Sequence, residues 1–162
     1  MLKKLLTIFF LFISCFGFSQ TAKVTKDVAI KWFDLVNKHD TISLAGLYSS
    51  TADIISPNWE GIKTGTDEIT HVYARHFSST PDLQHSISNI IATDTAVIVE
   101  YVFSGTLKNP EANTPEYMRG KKYSLTACTI MTVHEGKITK QQTHFDQVAF
   151  LRQVGFFEHS TN

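Results

Sequence analysis

The sequence predicts one α+β domain in which helices come first and cover one face of a curved, mostly antiparallel sheet. Three observations carry this expectation. Up to Pro81, apolar residues recur at helical spacing; beyond it the period changes to two, along four long segments. The chain of 162 residues, 43% hydrophobic and 19% charged, has the size and composition of a single globular domain with a proper core.

The first residues are set apart. Met1-Leu2-Lys3-Lys4 is a short basic start, residues 5–13 form an apolar run broken only by Thr7, and Gly17-Phe18-Ser19 places small residues where a signal peptidase reads. This is a secretory signal, shorter than the ~20 residues of a membrane span. Cleavage is expected before Gln20, leaving a domain over 20–162 that is secreted or periplasmic. Cys15, behind Phe12-Ile13-Ser14, loosely matches a lipoprotein signal, which the Gly-Phe-Ser cut opposes. Once Cys15 is removed, Cys128 is the only thiol and no internal disulfide can form.

Val24, Val28, Trp32, Leu35 and Val36 mark one face of a helix over 23–38. Asp40 can cap a short second helix carrying Ile42, Leu44 and Leu47. Residues 52–56 read as a brief strand ended by Pro57-Asn58. Gly65-Thr66-Asp67-Glu68 opens a third helix, with a capping hydroxyl and two acids at the positive end of the dipole. Its apolar face is Ile69, Val72, Tyr73, His76 and Phe77, and Ser78-Ser79-Thr80-Pro81 ends it. Strands follow over 84–92 and 95–105, joined at Thr93-Asp94, and over 121–134 and 137–146, joined at Glu135-Gly136. Residues 107–119, with Pro110 and Pro115, form the one long loop, placed to border a pocket.

Charge and metal-ligand spacing exclude two classes. Basic and acidic residues balance at 15 each, so no surplus is available for a phosphate backbone and nucleic acid is not an expected partner. The seven histidines form no His-x-His or HExxH motif, and His71 and His76 are five apart, which does not stack them on a helix. Neither metal nor cofactor is expected.

Taken in order, these segments resemble the SnoaL-like branch of the nuclear transport factor 2-like superfamily. Trp32-Phe33-Asp34-Leu35-Val36-Asn37-Lys38-His39-Asp40 is similar to the family's first helix with its Asn-x-x-Asp ending. Leu47-Tyr48, Asp53, Gly61 and Gly65 follow the family's order. Pro81-Asp82-Leu83 resembles its step into the long strands, and Ser104-Gly105-Thr106 its strand turn. Gly136-Lys137-Ile138 and Asp146 with Leu151-Arg152-Gln153-Val154-Gly155 complete the match. The resemblance implies a cone-shaped fold, a hydrophobic pocket between helices and concave sheet, and a homodimer through the outer sheet face. It leaves function open, because this fold hosts isomerases, cyclases, hydrolases and binding modules.

Candidate site residues follow from residue pattern and resemblance together. His144 and Asp146 are two apart on the last strand, so their side chains point the same way and can form an acid/base pair. In SnoaL-like cyclases an aspartate near this strand's end is the general acid/base, and Asp146 is the position that resembles it. The structural alternative is that Asp146 caps the turn at Gln147-Val148. The ketosteroid isomerase branch needs a helix-one tyrosine, a carboxylate before a proline, and a protonated acid on a later strand. Those places resemble Trp32, Ser56 before Pro57, and the neighbourhood of Cys128, so that mechanism is not expected. The family's Gly-Thr-His turn is also missing, since Leu107 follows Thr106. Trp32, Tyr48, Trp59, Tyr73, Phe77, Tyr101 and Phe103 are enough aromatic surface to line a ligand pocket as well as a core. Glu100, among Val97, Ile98, Val99, Tyr101 and Val102, lies either on the outer face or in the pocket. The expected function is binding of a small apolar molecule. The domain is either an acid/base enzyme on a hydrophobic carbonyl-bearing substrate or a non-catalytic periplasmic module binding a ligand or protein.

Overall fold

The computed structural model describes residues 22–111 and 114–158; the segment 1–19 with Cys15 lies outside the described residues. Helix α1 (22–37) buries Thr25, Ala29, Trp32, Phe33, Leu35 and Val36 against the sheet. The buried stripe passes through Thr25 rather than Val24, which is exposed; the Thr25 hydroxyl donates to the Thr93 carbonyl at 2.6 Å and so pins α1 to a strand turn. His39 leaves the helix at φ 55°, and Asp40 then caps α2 (Thr41–Ala45), accepting from the Ser43 amide at 3.0 Å. Leu44 of α2 is buried, whereas Ile42 faces solvent at 81% exposure.

Strand β1 (Tyr48–Ile55) is longer than residues 52–56, and its partner β2 (Lys63–Thr64) is too short for periodicity to reveal. Helix α3 (Thr66–Ser79) buries Ile69, Val72, Tyr73 and Phe77. Its N-cap is Gly65 at φ 85°, with no side-chain cap, so the expected hydroxyl cap is replaced by a backbone turn that only glycine adopts readily; Asp67 and Glu68 do occupy the first turn. Strands β3 (Gln84–Ala92), β4 (Ala96–Thr106), β5 (Lys122–His134) and β6 (Lys137–Phe145) follow within one residue of the expected spans. A further helix, α4 (Gln147–Gln153), lies where only a turn was read.

The six strands form one sheet in the order β2-β1-β6-β5-β4-β3. Every pairing is antiparallel except β1 with β6, which brings the first and last strands of the domain side by side. The core lies between the helices and the inner face, where Val97, Val99, Tyr101 and Phe103 of β4 meet Tyr123, Leu125, Ala127 and Met131 of β5. Gly105 makes a close approach: a Cβ there would lie 2.3 Å from the Thr80 Cγ2 atom.

Two irregularities decide which side chains face inward. In β6, Val133 pairs with Ile138 but Thr132 pairs with Lys140, so Thr139 is an extra residue. A one-residue bulge moves every later side chain to the opposite face. Ile138 points inward before it; Gln141, Thr143 and Phe145 point inward after it, and His144 points outward. In β3 the register shifts between Ile87 and Asn89, keeping both His85 and Ile90 on the inner side.

Candidate functional site

The floor of the concave face is a buried polar network on α1, α3 and three strands. The Trp32 Nε1–H donates to the Tyr48 hydroxyl at 2.6 Å, and that hydroxyl donates to Gln141 Oε1. Gln141 Nε2 reaches toward Thr143 Oγ1 at 3.4 Å, and Thr143 pairs with Thr129 hydroxyl to hydroxyl at 3.0 Å. The Tyr73 hydroxyl stands 3.4 Å from that of Tyr48. All six side chains are buried, so satisfying their polar atoms is a condition of folding rather than an ornament.

Burial also sets the protonation states. It raises the Tyr48 phenol well above its ordinary range, with neighbouring Tyr73 adding to the effect, and pushes Tyr73 up to about 12. It pushes His85 down to about 3 and His76 down to about 4, helped in each case by nearby positive groups, among them His39. At neutral pH both phenols and both imidazoles are therefore uncharged.

Above this network lies a small inner chamber of about 20 Å³, bounded by Trp32, Tyr73, Tyr101, Gln141 and Thr143 below and by Ser56, Asn58, Trp59, His76 and His85 around it. A wider mouth cavity of about 220 Å³ adjoins it, lined by Pro57, Phe103, Leu107, Met118, Tyr123, Phe145 and Phe150 together with the polar Ser79, Thr80, Glu111, Thr114 and Gln147. Asn58 and His76 line both spaces, so the two adjoin there, and together they are referred to as the funnel. The long loop closes one side of the mouth. Asn109 donates to the Ser78 carbonyl at 3.0 Å, and Glu111 pairs with Arg75 of α3 at 2.8 Å. Among the described residues, no three His, Cys, Asp or Glu side chains converge to hold a metal ion.

The family's sequence profile, described as the SnoaL-like domain, matches residues 29–141, more than half the chain. The chain belongs to the SnoaL-like family. Solved structures agree on the fold. A candidate SnoaL-like polyketide cyclase from Jannaschia superposes at TM-score 0.73 with 15% identity, over 82% of this chain and 92% of that one. A candidate polyketide cyclase, IdmH from Streptomyces antibioticus, gives 0.67 and 21%, over 81% and 98%. A protein of ketosteroid isomerase-like fold from Catenulispora acidiphila, solved with trimethylamine, gives 0.68 and 18%, over 81% and 94%. No curated protein matches the sequence. At these identities the structures establish the nuclear transport factor 2-like fold and nothing finer.

Within this SnoaL-like domain the expected site residues separate into three groups. Trp32, Trp59 and Tyr101 face the inner chamber and Phe103 faces the mouth. Tyr48 lies behind Trp32 as part of the network, and Phe77 is core, stacked on His39 with centroids 4.5 Å apart. His144 and Asp146 do not meet in the funnel. Asp146 Oδ1 accepts from the Ala149 amide at 2.9 Å as the N-cap of α4, and its neighbours Phe145 and Gln147 are the ones that line the mouth. His144 lies on the outer face opposite Cys128, in a broad depression that also holds Glu100. Glu100 is thereby placed outside, accepting from Asn89 at 3.3 Å. Cys128 is likewise outside, so the inward positions next to it are Ala127 and Thr129. Sequence reading missed His76, His85, Gln141 and Thr143. Gln141 and Thr143 carried a partial signal, polar residues two apart in phase with Phe145 but out of phase with Ile138, and His76 lay on the apolar face of α3.

Proposed function

We propose that this SnoaL-like domain binds one small, uncharged, largely apolar molecule in the funnel, with its body in the mouth cavity and a polar end toward the inner chamber. One observation carries the reading: among the described residues the chamber is lined by neutral groups, with no carboxylate and no cation. An ion placed there would be desolvated without a partner, whereas a neutral molecule with one hydrogen-bonding end is matched. The same absence weighs toward binding over proton abstraction, because the isomerase-type step needs a base of adequate strength beside the substrate. The catalytic reading rests on His76, an imidazole facing both spaces, acting on a hydrophobic carbonyl compound. A base held down at about 4 is weak for that task. Native mass spectrometry of the protein from its own cell envelope tests the primary reading. A co-purifying neutral molecule released by denaturation supports it, and an anionic ligand overturns it. Turnover that disappears in His76→Gln with binding retained favours the enzyme.

Export and assembly belong to the same reading. The apolar run of residues 5–13 and the Gly17-Phe18-Ser19 cut support a secreted or periplasmic protein starting at Gln20. Ile91, Ile98 and Ile130 are cross-strand neighbours on the outer face, exposed at 55%, 38% and 38%, and this row supports a homodimer joined through that face. Light scattering of the parent and of Ile98→Glu checks it; a monomeric parent overturns it.

A further inference from the structure

Two buried polar atoms on residues that line the inner chamber have no hydrogen-bond partner among the described residues: Trp59 Nε1 and His85 Nδ1. A buried indole N–H or imidazole nitrogen left unpaired is destabilising enough to call for a cause. Both rings are held firmly. Trp59 packs edge-on against Tyr73 at 6.1 Å, and His85 sits among Trp32, Phe33, Tyr101 and Phe103. The His85 backbone is clamped from both sides by Asn37, whose carboxamide accepts from its amide at 2.7 Å and donates to its carbonyl at 2.9 Å. Turning either ring would disturb this packing, and both residues border a space of about 20 Å³, room for one oxygen atom.

We infer that this chamber is a recognition subsite for a hydroxyl group on the bound molecule, an alcohol or phenol, with Trp59 and His85 as the specificity-determining pair. This rests on the funnel being the binding site. Donor and acceptor chemistry selects the group. Indole is a donor only, so the incoming atom must accept; neutral imidazole offers either a donor or an acceptor at Nδ1, according to its tautomer. A hydroxyl oxygen accepts from Trp59 and either donates to or accepts from His85, satisfying both atoms in both tautomers. A carbonyl oxygen does so in one tautomer only. An ether oxygen carries a second carbon that the chamber has no room for. A carboxylate would lie among neutral groups with nothing to balance it.

The test uses 2-naphthol and its methyl ether, 2-methoxynaphthalene, titrated by calorimetry into the parent protein and into Trp59→Phe and His85→Phe. Indole N–H resonances are followed in parallel. The parent should bind 2-naphthol at least ~10-fold more tightly than the ether, the scale of one good hydrogen bond. Each variant should reduce that ratio to about twofold or less, whatever it does to the ether's own affinity. On adding 2-naphthol the Trp59 N–H signal should move downfield and that of Trp32, already bonded to Tyr48, should stay. Equal affinity for the two probes, or a ratio unchanged in Trp59→Phe, overturns the hydroxyl subsite and leaves the funnel as a binding site. Failure of both probes to bind removes the funnel reading, and the subsite with it. A crystal structure of the complex showing a retained water between Trp59 and His85 also overturns it. If His85→Phe does not fold, as its thermal midpoint will show, Trp59→Phe alone decides.

Discussion

Replacing Tyr48 by phenylalanine removes one oxygen from the middle of the buried network, and the loss can be worked out from its partners. The hydroxyl accepts from Trp32 Nε1 at 2.6 Å and donates to Gln141 Oε1. Both partners are almost fully buried, Trp32 at 2% exposure and Gln141 at 3%, so water cannot replace the missing group. Each stranded buried group costs about 1–3 kcal/mol. Some of this is recovered because a buried phenol is itself desolvated, so the expected net loss is about 2–4 kcal/mol. For a domain of this size that lowers the thermal midpoint by roughly 6–15 °C. Urea denaturation monitored by circular dichroism measures it directly, with an unchanged m-value showing that the native state is otherwise intact. Tyr73→Phe is the internal control. Its hydroxyl stands 3.4 Å from that of Tyr48, too long for a strong bond, and its removal should cost about 1 kcal/mol or less. Gln141→Leu on top of Tyr48→Phe should cost less than the sum of the two single changes, because the second removes an acceptor the first has already stranded. A Tyr48→Phe protein within about 0.5 kcal/mol of the parent, or strict additivity with Gln141→Leu, would refute the network as the floor of the site.

Other expectations are checked with the same denaturation assay. Gly105→Ala would place a methyl group 2.3 Å from Thr80 Cγ2, in a spot where Thr80 is almost fully buried, and should cost about 1–3 kcal/mol. Asp146→Ala removes the cap from the Ala149 amide and should cost about 1 kcal/mol, while Asp146→Asn should be close to neutral and leave ligand affinity unchanged. His76 and His85 are held neutral, their folded-state values lying below the ordinary 6.5. Their contribution is present above that pH and is lost as pH falls toward about 4 and about 3. Urea midpoints should therefore decline from pH 6.5 to pH 4.5, by at most about 1.4 kcal/mol per pH unit for each histidine, and His85→Phe should flatten the slope.

The fold was legible because its signals are local and repeated. Helical spacing in Trp32, Leu35 and Val36 and strict alternation in Val97, Val99, Tyr101 and Phe103 each mark a buried face several times over, so one misplaced residue such as Val24 does little harm. The parallel pairing of β1 with β6 was not legible, since nothing in 48–55 encodes a partner some ninety residues on. The lining of the funnel was legible only where it coincided with aromatic bulk, at Trp32, Trp59, Tyr101 and Phe103. Read as one strand, the segment holding His144 and Asp146 puts them on one face, but periodicity does not say which face, and the strand in fact ends at Phe145. The answer depends on Thr139, a single extra residue whose sequence carries no mark of a bulge. Counting from Ile138 puts His144 inside; counting back from Phe145 puts it outside, and the structure follows the second.

That inversion also accounts for the chemistry of the interior. With the bulge in place, β6 presents Gln141 and Thr143 to the concave face and turns Lys140, Gln142 and His144 to the outside. The titratable groups nearest the chamber are then phenols and imidazoles, which burial keeps neutral; the outer-face acid Glu100 is kept away by the parity of β4. A carboxylate introduced at an inward position should expose how far this neutrality is structural. Thr143→Asp would sit beside Thr129 and Gln141, with no cation within the chamber to balance it. Its carboxyl should titrate well above the ordinary aspartate value of about 3.9, because desolvation outweighs the two hydrogen bonds available to it. Stability should then fall as pH rises through that range, opposite in sign to the histidine effect, since the unfolded chain ionises first. A Thr143→Asp protein whose stability relative to the parent at the same pH does not decline between pH 4 and pH 7 would show that the chamber is wetter or more electropositive than its lining implies. The case for an uncharged ligand would fail with it.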